Sequence, residues 1–197
     1  IGTLQWAVSI GRINITTAVM TLSSFRAVPR LGHLERAKRV ISYLARFKES
    51  TIRFRTSEPD YSDIPSVSYD WSRRYDGATE DVPDDAPPAL GKFVVTATHV
   101  DANLCHDLVT GKSVSGILHW INGTPIDWFS KKQATVETAT YGLEFTAAKT
   151  AVQQITALRL KLRYLGVPIH GGTYLFDDNQ SLVTRVSVPH SHFTKRP

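Results

Sequence analysis

Three carboxylates, Asp101, Glu144 and Asp178, stand where the pattern of the chain would let them meet. Asp101 follows FVVTATHV, a β-branched and aromatic run that reads as a strand ending at that residue. Glu144 falls in the opening turn of the longest helical pattern. Asp178 closes YLFDD, a further strand. If the two strands are neighbours in one sheet and the helix packs across it, the three side chains converge at one end. Carboxylates brought together repel one another unless cations neutralise them, and hard oxygen donors suit a divalent ion. Each residue taken alone has a plainer use. Asp101 fits a strand-end turn, Glu144 fits the favourable field of a helix N-terminus, and Asp178 fits an N-cap for the helix after it. Only the three together, in this order, point to metal.

The elements that must position them are legible by periodicity. Phe93–Val100, Val114–Ile121 and Pro125–Ser130 read as strands, the last two joined by Asn122-Gly123, a strong hairpin signal. Ala139–Leu165 carries Ala147, Ala148, Ala151, Ile155, Leu158, Leu162 and Leu165 on one apolar face, and Gly166 and Pro168 stop it. Thr173–Asp177 reads as a strand and Gln180–Val186 as a short helix. The order β-β-β-α-β-α is an α/β layout with a mixed sheet. Within it Asp177 should face away from Asp178, because successive strand residues alternate faces, which excludes it from the cluster. Asp107 sits in a polar turn and is the nearest internal source of a fourth acid, a plain turn residue being its simpler reading.

Upstream, residues 1–48 read as helical. Asn14 is placed to cap a helix bearing Ile15, Ala18, Val19, Leu22 and Phe25. A third helix follows, with Leu34, Ala37, Val40, Ile41, Leu44 and Phe47 inward and Arg36, Arg39, Arg46 and Lys48 outward. Thr51–Thr56 alternates like a strand. The expected divisions are 1–56, a small helical segment; 57–91, an acidic connector pinned by Tyr69, Trp71 and Tyr75; and 92–197, the α/β domain. The 197 residues carry a formal charge of +5, yet Ser57–Leu90 holds nine Asp/Glu against two Arg, leaving about +12 for the remainder. A basic body with an acidic insert points to a polyanion partner such as nucleic acid. The single Cys105 excludes an internal disulfide framework and fits a reducing, intracellular compartment. No apolar run is long enough to span a bilayer and no signal peptide is evident.

The runs DANLCHDLVTGKSVSG, TPIDWFSKKQATVETATYGLEF and FDDNQSL resemble the RNase H domain of copia/Ty-type (Pseudoviridae) retrotransposon Pol polyproteins, which read D-A-D, S-x-S-G, P-I-x-W-x-S-K-K-Q-x-T-V, E-A-E-Y and C-D-N-Q. LQWAVSIGRINITTAVMTLSSF and GHLERAKRVISYL resemble the reverse transcriptase thumb. The resemblance implies an RNase H-like mixed sheet preceded by a thumb-like helical segment. It also implies two-metal hydrolysis of RNA in RNA–DNA hybrids, with two Mg²⁺ (or Mn²⁺) ions about 3.5–4 Å apart. Asp101, Glu144 and Asp178 become catalytic, metal-holding residues, Asp101 bridging. Ser130, Lys131, Lys132 and Gln133 become candidates for substrate phosphate contacts, with an exposed strand end as their simpler reading. The partners implied are RNA–DNA hybrid and the remainder of a Pol polyprotein, with no membrane, in a cytoplasmic particle or the nucleus. The sequence departs from the pattern at Gly142, where the first acid of E-A-E is lost, and at Asn103. Both ends read as cut from a longer chain, the polymerase palm and the fourth acid lying outside it. His190 and His192 read either as contacts near the site or as a frayed terminus. Trp120 and Trp128 are expected to pack rather than to stack on bases. A degenerate fragment that binds nucleic acid without cutting it is the alternative expectation.

Overall fold

Helical periodicity before residue 50 and β-branched alternation after Val94 divide the chain into two units, Ile1–Phe54 and Arg55–Pro197. They are seen in a computed structural model that describes residues 1–64, 69–77, 79–80, 82–107 and 110–189. The first unit comprises α1 (Gly2–Ser9), a 3-10 turn (Ile13–Ile15), α2 (Thr16–Ser23) and α3 (Leu31–Arg46). Leu4, Ile15 and Val19 form its core, with Val40 and Leu44 of α3 packed against them. Leu34, Ile41 and Phe47, expected inward, lie exposed. Three short helices have only enough apolar surface to cover one stripe of α3, and these residues flank it. Asn14 does not cap α2. Its amide donates to the Tyr43 hydroxyl at 2.9 Å instead. Thr51–Thr56 forms no strand, and in the second unit the Arg55 N–H is taken by the Thr124 hydroxyl at 2.7 Å. Alternation there lacks a partner strand, and an unpaired strand is not stable.

The second unit opens with the acidic segment, whose regular structure among the described residues is one turn, α4 (Ser72–Tyr75). Its carboxylates are not all left to solvent. Glu80 is gripped by Arg159 (Nε 2.8 Å, Nη2 2.7 Å) and by Arg163, and the Tyr164 hydroxyl donates to Asp85 at 3.2 Å. These charge-assisted bonds hold the Glu80 carboxyl down to about 2. Tyr61 packs over Tyr174 and Phe176, ring centroids 4.8 and 5.5 Å away.

Then follow β1 (Thr96–Asp107), β2 (Lys112–Ile121), β3 (Thr124–Lys132), α5 (Thr140–Tyr164), β4 (Tyr174–Phe176) and α6 (Gln180–Ser187). The sheet order is β3-β2-β1-β4, with β1 antiparallel to β2, β2 antiparallel to β3, and β4 parallel to β1. This is a mixed α/β sheet, as the patterning implies, and it is compatible with an RNase H-like fold. Asn122 and Gly123 take φ of 47° and 72°, the doubly positive geometry that matches strand twist in a two-residue hairpin. At the far end of α5, the Gly166 N–H bonds Arg163 and the Val167 N–H bonds Leu162, the paired closure that a glycine at positive φ allows.

α5 crosses one face of the sheet. Leu143, Ala147 and Ala151, four residues apart, press onto Val100 and Ala102 of β1 and Ile117 of β2, with Phe129 alongside. The alanines let the helix approach closely. Two polar ties accompany this contact. The Gln133 amide, just beyond β3, donates to the Leu143 carbonyl at 2.9 Å and to the Ser115 hydroxyl at 3.0 Å. Farther along, His119 is 1% exposed, with Nδ1 2.8 Å from the Thr98 hydroxyl and Nε2 3.0 Å from Gln154 Oε1.

Candidate metal centre

β1 does not stop at Asp101 but runs on to Asp107, with an irregularity between Asn103 and Asp107 where Cys105 takes a φ of 49°. The strand end that matters is that of β4. Its last residue, Phe176, pairs with His99, so Asp101 stands two residues past the point where β1 loses its parallel neighbour. The edge of β1 left open there is where Glu144 and the residues after β4 come in. One ligand oxygen from each of Asp101, Glu144 and Asp178 lies within 4.8 Å of the others. Asp101 and Asp178 are exposed, while Glu144 is 6% exposed.

Glu144 is therefore not a solvated helix-start residue. Its neighbour Leu143 anchors the first turns of α5 in the core, which drives the Glu144 carboxylate toward the sheet edge. Burial pushes its carboxyl up to about 7, with the charges of Asp177, Asp101 and Asp178 adding to the effect and a hydrogen bond from the Ala102 backbone N–H opposing it. Its Oε2 is buried and, among the described residues, has no hydrogen-bond partner. Nor is Asp178 the cap of α6. Asn179 does that work, accepting the Leu182 N–H at 3.1 Å.

Asp177 lies outside the converging ligand set, but strand alternation is not the reason. β4 ends one residue earlier, so strand alternation no longer governs residue 177. Of the three acids that act on Glu144, Asp177 does so most strongly. Its own carboxyl is raised by burial and by Asp178 and Asp101, against a lowering bond from the Asn179 N–H. The signal was present in the sequence. An Asn before QSL is a strong N-cap, and a cap at Asn179 leaves Asp177 two residues before that cap, in a turn rather than in a strand. Asp107 stands apart from the cluster, accepting from Thr110 Oγ1 at 2.6 Å and Lys132 Nζ at 2.5 Å. At Gly142 an added Cβ would meet the Glu137 carboxylate at 2.7 Å, so Glu137 fills the space beside that position.

The four expected phosphate contacts separate. Ser130 lies in one cross-strand row with Gly116 and Asp101, on the same sheet face and two strand spacings, roughly 10 Å, away. Lys132 shares that face but is held by Asp107. Lys131 is exposed and alternates to the other face, in the row of Ser115 and Ala102. Gln133 is corrected: at 6% exposure, with its amide spent on Ser115 and Leu143, it braces α5 instead of meeting substrate. Trp120 meets His99 edge-on at 5.8 Å, and His99 stacks on Phe176 at 4.8 Å. His190 and His192 lie outside the described residues.

No protein-family model matches the chain, and no solved structure does. Among curated proteins it is similar to secreted RxLR effector protein 161 of Plasmopara viticola, 24% identical over 163 residues that cover 83% of this chain and 91% of that protein. Among the described residues no helix is long and apolar enough to cross a membrane.

Proposed function

We propose that the chain is an RNase H-type endonuclease segment derived from a copia-type retroelement, hydrolysing the RNA strand of RNA–DNA hybrids. The observation that carries this reading is the meeting of Asp101, Glu144 and Asp178 within 4.8 Å around a buried, unpartnered Glu144 oxygen. The donor set fits divalent metal. It is all carboxylate, open on the Asp101 and Asp178 side, and at neutral pH resists full ionisation unless a cation compensates it. Asp101, Glu144 and Asp178 would hold the ions. When bound, Mg²⁺ or Mn²⁺ supplies Lewis acidity that favours ionised water and offsets charge on the leaving 3′-oxygen.

The remaining work belongs to the protein. Water adds at phosphorus and the P–O3′ bond breaks. Glu144, held by α5, fixes the inner wall of the site, while the exposed Asp101 and Asp178 leave its mouth accessible to a phosphodiester. Ser130, in the Asp101 row, is placed to donate to a neighbouring phosphate oxygen, and Lys131 supplies positive charge at the same strand end. Recognition of the hybrid rests on shape, phosphates and the 2′-OH.

Binding without cleavage is the second reading. It is favoured by the missing carboxylate at Gly142 and by likeness to a protein named as a secreted effector, a name that states no enzymatic activity. The deciding experiment is cleavage of a labelled RNA–DNA hybrid with Mg²⁺ or Mn²⁺, beside the same RNA single-stranded. Hybrid-selective cutting that is lost in Asp101→Asn, with salt-sensitive hybrid binding retained, is the expected result. Equal cutting by both proteins would reject the site. No cutting by a folded wild type would leave the binding reading.

A further inference from the structure

We infer that Asp177 is a positioning residue of the metal centre, accepting hydrogen bonds from water carried by a cation held on Asp101, Glu144 and Asp178. The inference rests on the metal-centre reading above and adds a residue to it that neither the strand pattern nor the retroelement resemblance assigns.

The two oxygens of Asp177 have different surroundings. Oδ1 accepts the Asn179 N–H at 2.8 Å, closing an Asx turn that sets Asn179 as the cap of α6 and fixes the rotation of the carboxylate. Oδ2 is buried and has no partner among the described residues. The turn explains only the first oxygen. An asparagine would close it equally well without burying a charge, so the turn gives no reason for an acid at 177. A buried charged oxygen without a donor is costly, and its need is for hydrogen-bond donors or positive charge.

What faces it supplies that reason. Glu144, 6% exposed, also carries a buried oxygen with no partner, and Asp177 is the acid whose charge bears on it most. The two unpartnered oxygens thus belong to one acid on α5 and one in the β4–α6 turn next to Asp178, whose ligand oxygen lies within 4.8 Å of that of Glu144. Among the described residues, the set whose ligand atoms converge within 4.8 Å is Asp101, Glu144 and Asp178. Asp177 stands beside that set rather than in it. Mg²⁺ keeps several of its waters when protein-bound, and those waters present hydrogens to acceptors just outside the ligand set. Such outer partners orient the inner ones, and removing one costs about 10–100-fold in metal affinity.

The test is a Mn²⁺ titration followed by calorimetry, with thermal unfolding in EDTA and in Mn²⁺. The proteins are wild type, Asp177→Asn, Asp177→Ser and Asp101→Asn, all as the full chain. Asn keeps the Oδ1 acceptor of the turn and replaces Oδ2 with a donor. Ser keeps a weaker turn acceptor, so a folded variant remains if one fails. The expected result is Mn²⁺ affinity about 10–100-fold lower in either 177 variant. Metal-free Tm should be equal or higher, and the Tm gain on adding Mn²⁺ smaller. A purely structural turn residue would lower the metal-free Tm and leave the affinity alone, and that outcome overturns the inference. Mn²⁺ binding within twofold of wild type in the 177 variants, with loss in Asp101→Asn, overturns it while sparing the metal centre. Undiminished binding in Asp101→Asn, or none in wild type, overturns both.

Discussion

Replacing Glu144 by glutamine should make the metal-free protein more stable above neutral pH and leave it unchanged in acid. In the folded chain burial and three neighbouring acids hold the Glu144 carboxyl at about 7, against 4.5 for the unpaired group. Below pH 4.5 both states carry the proton, and the residue makes no pH-dependent contribution. As pH rises from 4.5 to 7 the unfolded chain releases its proton and the folded chain keeps it, so stability is lost across that window. Above 7 the loss is complete. At 1.36 kcal/mol per unit the shift corresponds to roughly 3 kcal/mol, an upper figure because Asp101 and Asp178 open the cluster to water and salt. Urea unfolding in EDTA at pH 4.5, 6, 7 and 8 gives the comparison. Wild type should fall with pH relative to Glu144→Gln, the two converging at the acid end. Saturating Mg²⁺ should restore wild type and leave the variant where it was. Parallel pH profiles would refute the reasoning, because they would mean that Glu144 ionises as freely in the folded chain as in the unfolded one.

Other outcomes follow from the same geometry. Glu80→Gln should cost about 1–2 kcal/mol at pH 7, between an exposed and a buried ion pair, as measured by urea unfolding. Because the Glu80 carboxyl is depressed to about 2, that stabilisation should be present above pH 4.5 and disappear as pH falls toward 2. Leu143→Ala, at the centre of the α5–sheet contact, should cost about 3 kcal/mol. It should also weaken Mn²⁺ binding, because the adjacent Glu144 loses its anchor; calorimetry at a temperature where the variant stays folded checks this.

The sheet was legible in the sequence where local chemistry decides geometry. Asn122-Gly123 admits one kind of turn, and the strands either side of it form where alternation places them. Gly166 ends α5 for the same local reason. Sequence reasoning failed where a partner decides. Thr51–Thr56 has strand chemistry but no neighbouring strand. Leu34 and Ile41 have core chemistry, but the first unit offers too little surface to cover them. The polar residues after Asp101 resemble a turn and suggest that β1 ends there, whereas pairing with β2 carries it six residues farther. That error left the cluster itself intact, since the end of β4 and not of β1 opens the site. Strand alternation fails as a guide at Asp177 for the same reason. Asp177 lies one residue beyond the three-residue β4, in a turn governed by the Asn179 cap, where alternation does not apply.

The two polar ties on α5 have a mechanical consequence. The face the helix presents to the sheet, Leu143, Ala147 and Ala151, is apolar and nearly smooth, and such a contact adheres without fixing its own register. Gln133 at Leu143 and His119 at Gln154 grip the helix eleven residues apart, about 16 Å along its axis. A rod held at two separated points can neither roll nor slide. Rolling by one residue would carry Glu144 about 100° around the axis, away from Asp101. Adhesion and aim are thus assigned to different residues: the apolar ones keep the helix down, and a glutamine and a histidine outside the carboxylate cluster keep it pointed.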